Sequence, residues 1–189
     1  MTSIIIYTSV ILFIIIIIKR NIKTNNKYIR IERYGNILHV LRMDGNKDAA
    51  DLLDLIASRA EKLVEHVSRN FPEHNGMQLL RKRFNRNNIY EGSPRDSDFT
   101  YTEDKGAKLV ICLRNKHMNF HDINLLMFPV IHELGHMCDR EYNPGHGGEF
   151  TDCFKFLLTE ALKIGIYENI DFVNEPQSYC GMVISSNVI

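Results

Sequence analysis

Two histidines stand four residues apart in the segment HELGH, at residues 132–136. On an α-helix this spacing puts both imidazoles on one face, so that His132 and His136 can reach a single metal ion. Glu133 is turned about 100° away from His132, which suits a carboxylate that holds a water molecule on the ion rather than the ion itself. The motif therefore predicts a helix that carries a metal site.

The residues around this motif favour a buried helix. Residues 125–137 are mostly apolar, and Gly135, between the two histidines, allows another part of the chain to come close. Pro129 lacks an N–H group and disfavours a helix interior. We therefore expect the helix either to begin close to Pro129 or to kink there.

A catalytic zinc ion usually has three protein ligands and one open position, so the motif needs a third ligand. His146 is the favoured candidate, because it follows His136 by ten residues and stands just before a second predicted helix. Glu160 is the alternative, since another class of zinc peptidases takes a glutamate from the following helix. Asp139 and Glu149 are weaker candidates.

Zinc is the expected cofactor, because it takes neutral imidazole nitrogens and leaves a position for water. We predict one Zn²⁺ held by His132, His136 and His146. The ion would lower the pKa of its bound water, and Glu133 would act as the catalytic general base that passes the proton to the leaving amine. The predicted reaction is the hydrolysis of a peptide bond by metal-activated water.

The sequence does not assign an oxyanion donor or a role in the metal site to the remaining tyrosines and histidines. The oxyanion of the reaction needs a donor besides zinc, and three tyrosines are candidates between which the sequence does not choose: Tyr101, Tyr142 and Tyr179. The remaining histidines have no comparable spacing, and we expect surface or core roles for them: His39, His66, His74, His117 and His121.

Hydrophobic periodicity predicts the elements around the site. Long amphipathic helices are expected at residues 47–70 and 148–164, and a short one at 77–86 with Arg81, Lys82, Arg83 and Arg86 on a solvated face. A hairpin is expected at residues 28–43, a loop at 91–98 and a last strand near the C-terminus. The strand at 108–114 is our candidate for the sheet edge along which an extended substrate lies.

The motif and the residues GHGGEF at 145–150 resemble the WLM and SprT-like zinc peptidases, in which the third histidine opens a helix as His-Gly-x-x-Phe/Trp. His146, Gly147 and Phe150 match this pattern. The strand before the motif and the helix after it are similar to short WLM-type proteins of large DNA viruses. The resemblance covers roughly residues 90–185. It implies an α+β, zincin-like fold, with a small sheet, an active-site helix and backing helices, in a domain at residues 28–189.

Residues 3–18 form an uncharged apolar run of 16 residues. A helix of this length spans roughly 24 Å, which is slightly less than the about 30 Å of a bilayer core. Because Lys19 and Arg20 follow the run and nothing basic precedes it, we expect an uncleaved anchor at 1–20 rather than a signal peptide. A polar linker follows at 21–27. The positive-inside rule then predicts a single-pass protein with its body on the cytoplasmic side.

Charge and cysteine usage restrict the partners. In residues 43–189 acidic residues outnumber basic ones by six, which argues against a nucleic-acid partner and leaves a protein or peptide substrate. The four cysteines form no close-spaced pair, and on the cytoplasmic side we expect them to be reduced thiols.

Two other functions remain as alternatives. One is a non-catalytic zinc-binding membrane adaptor. The intact Glu133 argues against it, because a protein without catalytic activity does not need this carboxylate. The other is a DNA-associated repair-type protease, which the acidic body and the anchor argue against.

Overall fold

The structure is a computed structural model that describes residues 27–95, 100–139 and 146–189 of the 189-residue chain. The predicted anchor, all but the last residue of the predicted linker, and Tyr142 lie outside these ranges. Within the described ranges, no helix combines the length and the apolar character needed to cross a membrane.

The described residues form four α-helices and two β-sheets, which confirms the α+β class. The helices are α1 (Asn46–Asn70), α2 (Met77–Arg83), α3 (Ile123–Cys138) and α4 (Gly148–Lys163). The strands are β1 (Tyr28–Arg33), β2 (Asn36–Leu41), β3 (Ile89–Gly92), β4 (Tyr101–Glu103), β5 (Lys108–Cys112), β6 (Gln177–Tyr179) and β7 (Met182–Ile184).

The larger sheet has the strand order β1-β2-β3-β5-β4. Its first two strands are the predicted antiparallel hairpin, which turns at Tyr34 and Gly35, both with positive φ. The neighbours β2, β3 and β5 run parallel, so the chain must cross over between them, and α1 supplies the first crossover. Helix α1 packs against β1, β2 and β3 through its buried apolar stripe, as its periodicity predicts.

The sheet edge beside the candidate site is β4, and the prediction that the strand at 108–114 forms this edge was wrong. β5 lies between β3 and β4, and its apolar residues from Leu109 onward are buried. A continuous apolar run is typical of such an interior strand, whereas β4 has only three residues and no apolar alternation to reveal it.

β3 occupies part of the segment predicted as a loop. It contains Glu91, whose side chain is fully buried. One carboxylate oxygen of Glu91 accepts from the Arg114 guanidinium at 2.8 Å and the other from the Leu41 backbone N–H at 2.8 Å. Because these partners compensate the buried charge, a strand is possible where composition indicates solvent exposure.

Helix α3 runs without interruption through Pro129, and it begins six residues earlier, at Ile123. The Asp122 carboxylate caps its N-terminus by accepting from the backbone N–H groups of Asn124 and Leu125. A helix start near Pro129 is therefore excluded. The burial of this helix in the core offsets the backbone hydrogen bond that the proline lacks.

The C-terminus of α3 is held by Arg83, which the sequence analysis assigned to a solvated face. Its guanidinium donates to the carbonyl oxygens of Met137 at 2.7 Å and Asp139 at 2.6 Å. Arg86 also points inward to Asp54 and Glu61 on α1. Arg81 donates to the Ser68 hydroxyl on α1 at 3.3 Å, so three of the four basic residues at 81–86 contact another helix.

The expectation of four reduced thiols was wrong: the structure contains the disulfides Cys112–Cys180 and Cys138–Cys153, and no cysteine is free. The first joins the end of β5 to the turn between β6 and β7, which form a hairpin where a single strand was expected. The second joins the end of α3 to α4. These pairs are 68 and 15 residues apart in sequence, so spacing alone did not reveal them.

Candidate metal centre

Three imidazoles converge at the end of α3. His132 and His136 come from one face of that helix, and His146 comes from the residues just before α4. One nitrogen from each ring lies within 4.8 Å of the others, and the Nε2 atoms of His132 and His146 are 3.1 Å apart. Nitrogens bound tetrahedrally to one zinc ion lie about 3.3 Å apart, so the spacing fits zinc.

Close packing of α4 on α3 brings these rings together. Phe150, in the first turn of α4, contacts His132 and His146 with ring centroids 4.8 Å and 4.7 Å away. A Cβ at Gly135 would lie 3.1 Å from the Phe150 ring and 3.3 Å from the Cβ of Phe154. The predicted close approach at Gly135 is therefore confirmed, and it brings the third histidine to the other two.

Burial keeps two of the imidazoles neutral. It lowers the pKa of His132 to about 4, with further lowering by the neighbouring His136 and His146. Burial also lowers the pKa of His136 to about 4, with His146 adding to the effect and Asp139 opposing it. At neutral pH both rings therefore carry the lone pair with which a metal ion is bound.

Glu133 lies beside the histidines and is 7% exposed. Burial raises the pKa of its carboxyl group to about 8, against the opposite effect of a hydrogen bond from the backbone of Thr102. Because Thr102 belongs to β4, this contact ties the carboxylate to the sheet edge. A carboxyl group whose pKa lies near neutrality can both accept and return a proton at ordinary pH.

The alternative ligands are engaged elsewhere. Glu160 accepts from Lys163 at 2.6 Å and lies 2.8 Å from the ring of His66. Glu149 accepts from the side chain of Asn75, and Asp139 lies 3.7 Å from Lys105. Among the residues that the structure describes, His132, His136 and His146 form the one cluster with metal-ligand spacing.

The tyrosine candidates for stabilising the oxyanion differ in their surroundings. The Tyr179 hydroxyl is buried and donates to the carbonyl oxygen of Cys112 at 3.1 Å, while its oxygen is hydrogen-bonded to Thr100. The one hydroxyl proton of Tyr179 is therefore engaged in this hydrogen bond and is not free to stabilise an oxyanion. Tyr101, on β4, lines the cavity beside Glu133. Tyr142 lies outside the described residues.

A cavity of about 790 Å³ opens beside His132 and Glu133. Its walls come from α3, α4, the residues around β4 and the segment from β6 to Val188. The contribution of β4 and of the C-terminal hairpin to this cavity was not predicted from the sequence. Strands of three residues carry too little pattern to indicate which cavity they border.

Two viral proteins are similar in sequence to this chain. No protein-family profile matches the chain. It is 28% identical over 181 residues to an uncharacterized protein of Acanthamoeba polyphaga mimivirus, covering 93% of this chain and 91% of that protein. It is also 31% identical over 115 residues to an uncharacterized protein of Invertebrate iridescent virus 6, covering 54% of this chain and 61% of the relative.

Solved structures of Wss1 align with about two thirds of the chain. Wss1 from Saccharomyces cerevisiae has a TM-score of 0.49 and 22% identity, over 67% of this chain and 88% of that one. A Wss1 mutant from S. pombe has a TM-score of 0.44 and 19% identity, over 65% of this chain and 92% of that one. The predicted similarity to proteins of large DNA viruses is confirmed by the two viral relatives.

Proposed function

We propose that this chain is a zinc-dependent metallopeptidase of the WLM type, with a zincin-like fold, that hydrolyses peptide bonds. One observation carries the proposal. Three converging imidazoles, of which burial keeps His132 and His136 neutral, lie beside the buried Glu133 at an open cavity. This is the arrangement that a catalytic zinc site requires, with three protein ligands and room for water and substrate.

The residues present fit a zinc ion. His132, His136 and His146 would hold it, and the imidazole set with no thiolate ligand suits a catalytic rather than a structural site. When bound, zinc supplies a Lewis acid that makes water a nucleophile near neutral pH. Phe150 packs against the imidazoles and restricts their orientation.

Glu133 is the proposed general base. Its burial between α3 and β4 raises its proton affinity, and the hydrogen bond from the Thr102 backbone favours the carboxylate form. It would accept a proton from the attacking water and return it to the leaving amine. The Thr102 backbone N–H holds the carboxylate in position during both transfers.

The substrate would lie extended along β4. This strand is the sheet edge beside Glu133, and Thr100 and Tyr101 at its start line the cavity. Hydrogen bonds between the substrate backbone and an edge strand give affinity without requiring a particular substrate sequence. β4 therefore replaces β5 as the proposed substrate-binding edge.

Metal analysis combined with a peptidase assay tests the function. The wild-type protein should bind one zinc ion per chain and cleave an unfolded protein such as casein. Glu133→Gln should keep the zinc and lose about 10²–10⁴-fold in rate, because only the proton acceptor is removed. Glu175→Gln, which changes an exposed carboxylate, is the matched control. A wild-type protein that binds zinc but cleaves nothing would instead support the adaptor alternative.

We also propose that residues 1–20 anchor the protein in a membrane, with the body on the cytoplasmic side. The apolar run and the basic residues that follow it support this orientation. The two disulfides oppose the cytoplasmic assignment, because disulfides persist mainly in oxidising compartments.

Protease treatment of intact membranes decides between the two sides. The body should be digested by protease added to the cytosolic face. Protection of the body would reverse the orientation, and recovery of the full-length chain in the soluble fraction would overturn the anchor.

A further inference from the structure

The cavity beside the metal centre extends well beyond the residues that the proposed chemistry uses. From His132 and Glu133 it continues between α3 and the C-terminal segment that contains β7. A peptide held with its scissile carbonyl at Glu133 would direct a neighbouring side chain into this space. The chemistry of the walls therefore determines which side chain is accepted.

These walls are apolar on both sides. Phe128 and Phe154 form one side, with ring centroids 5.4 Å apart, and Met182, Ile184 and Val188 contribute to the other. Among the described residues that line the cavity, Glu133 is the only aspartate, glutamate, lysine or arginine. A charged substrate side chain would lose its water here without gaining a partner, which is costly.

The C-terminal wall is held in place by covalent and polar contacts. The Cys112–Cys180 disulfide ties the turn of the hairpin to β5, and Tyr179 donates to the carbonyl oxygen of Cys112. Beyond β7, the Asn187 side chain accepts from the backbone N–H of Phe172 at 2.8 Å. Such anchoring gives the wall a defined position relative to the metal centre.

The rim of the cavity also exposes apolar side chains that no other described residue covers. The side chains of Met182 and Val183 are 50% and 65% exposed although they belong to a cavity wall. Apolar side chains exposed together at a cleft gain free energy when an apolar ligand covers them. This favours a substrate residue large enough to reach from the aromatic side to the hairpin.

We propose that the space between α3 and the β6–β7 hairpin is a specificity pocket, which accepts a large apolar side chain next to the cleaved bond and rejects charged ones. The proposal rests on the proposed peptidase function and deepens it. The specificity-determining residues are Phe128 and Phe154 on the helical side and Met182 and Ile184 on the hairpin.

Cleavage of a degenerate peptide mixture by the zinc-loaded full-length protein, solubilised in detergent, tests the proposal. Sequencing of the products gives the preference at both positions that flank the cleaved bond. At one of them we expect Phe, Leu, Ile and Met to exceed Asp, Glu and Lys by at least about tenfold.

Charge substitution at the rim tests the pocket directly. Met182→Asp should reduce kcat/KM for the Phe peptide by about tenfold and raise the relative rate for the Lys peptide, whereas Met182→Lys should favour the Asp and Glu peptides. Val173→Asp is the control, because Val173 is 60% exposed but does not line the cavity. A variant with a general structural defect would cleave all the peptides more slowly. It would not change which charged peptide side chain is preferred.

Binding of the same peptides to the Glu133→Gln protein, measured by fluorescence anisotropy, is a readout independent of turnover. The order of affinities should follow the order of cleavage preferences. Cleavage by the wild type without apolar preference, or equal effects of both Met182 variants on every peptide, would overturn the pocket alone. No cleavage of any peptide by the zinc-loaded wild type would overturn the peptidase function and the pocket with it.

Discussion

The ring of Phe150 stacks on the imidazole of His136, with ring centroids 4.2 Å apart and planes 26° from parallel. The stacked pair joins the helix that carries two of the converging histidines to the helix that follows the third. One aromatic side chain therefore couples the packing of α4 on α3 to the geometry of the proposed metal centre.

Phe150→Leu should weaken zinc binding by about 10–100-fold, because residues that orient metal ligands contribute to affinity by this amount. The affinity is measured by competition with a chromophoric chelator. Phe156→Leu is the matched control on the same helix, since Phe156 packs against Phe71 and His74 instead. Equal zinc affinities of the two variants would remove Phe150 from this role.

Gly135→Ala should lower the free energy of unfolding by about 1–3 kcal/mol, as expected for overpacking between closely packed helices. The added methyl group would meet the Phe150 ring at 3.1 Å. Gly148→Ala is the control, because a Cβ there meets nothing within 4 Å and alanine favours helix formation. Urea unfolding followed by circular dichroism compares the two, and equal midpoints would contradict the steric explanation.

His146→Ala should abolish stoichiometric zinc binding, whereas Glu160→Ala should retain it. Glu160 already serves as the partner of His66 and Lys163, so its loss should affect stability rather than metal content. Zinc per chain is measured by plasma mass spectrometry after gel filtration. Zinc loss in Glu160→Ala together with zinc retention in His146→Ala would reverse the ligand assignment.

Protein purified without reductant should contain no titratable thiol after denaturation, because all four cysteines are paired. Replacing Cys112 and Cys180 together by serine should lower the free energy of unfolding by about 4 kcal/mol, since the disulfide closes a long loop. The Cys138/Cys153 double serine variant, with a shorter loop, should lose about 3 kcal/mol. Four reactive thiols in the native protein would contradict the pairing and favour a reducing compartment.

The features that the sequence predicted correctly depend on neighbours along the chain. The four-residue spacing of His132 and His136 is a property of any α-helix, so their common face needs no tertiary information. The same holds for α1 and α4, whose apolar stripes recur at helical spacing, and for the hairpin that turns at Gly35.

By itself the sequence determined the HELGH motif, the α+β class and the long helices, because each depends on residues within a few positions of one another. Only the tertiary structure decided that β4 is the sheet edge, that Glu91 is buried against Arg114 and that Cys112 pairs with Cys180. It also brought His146, rather than Glu160, beside the other two histidines. These relationships join residues that are distant in sequence. They are set by the packing of the whole core, which local periodicity does not encode.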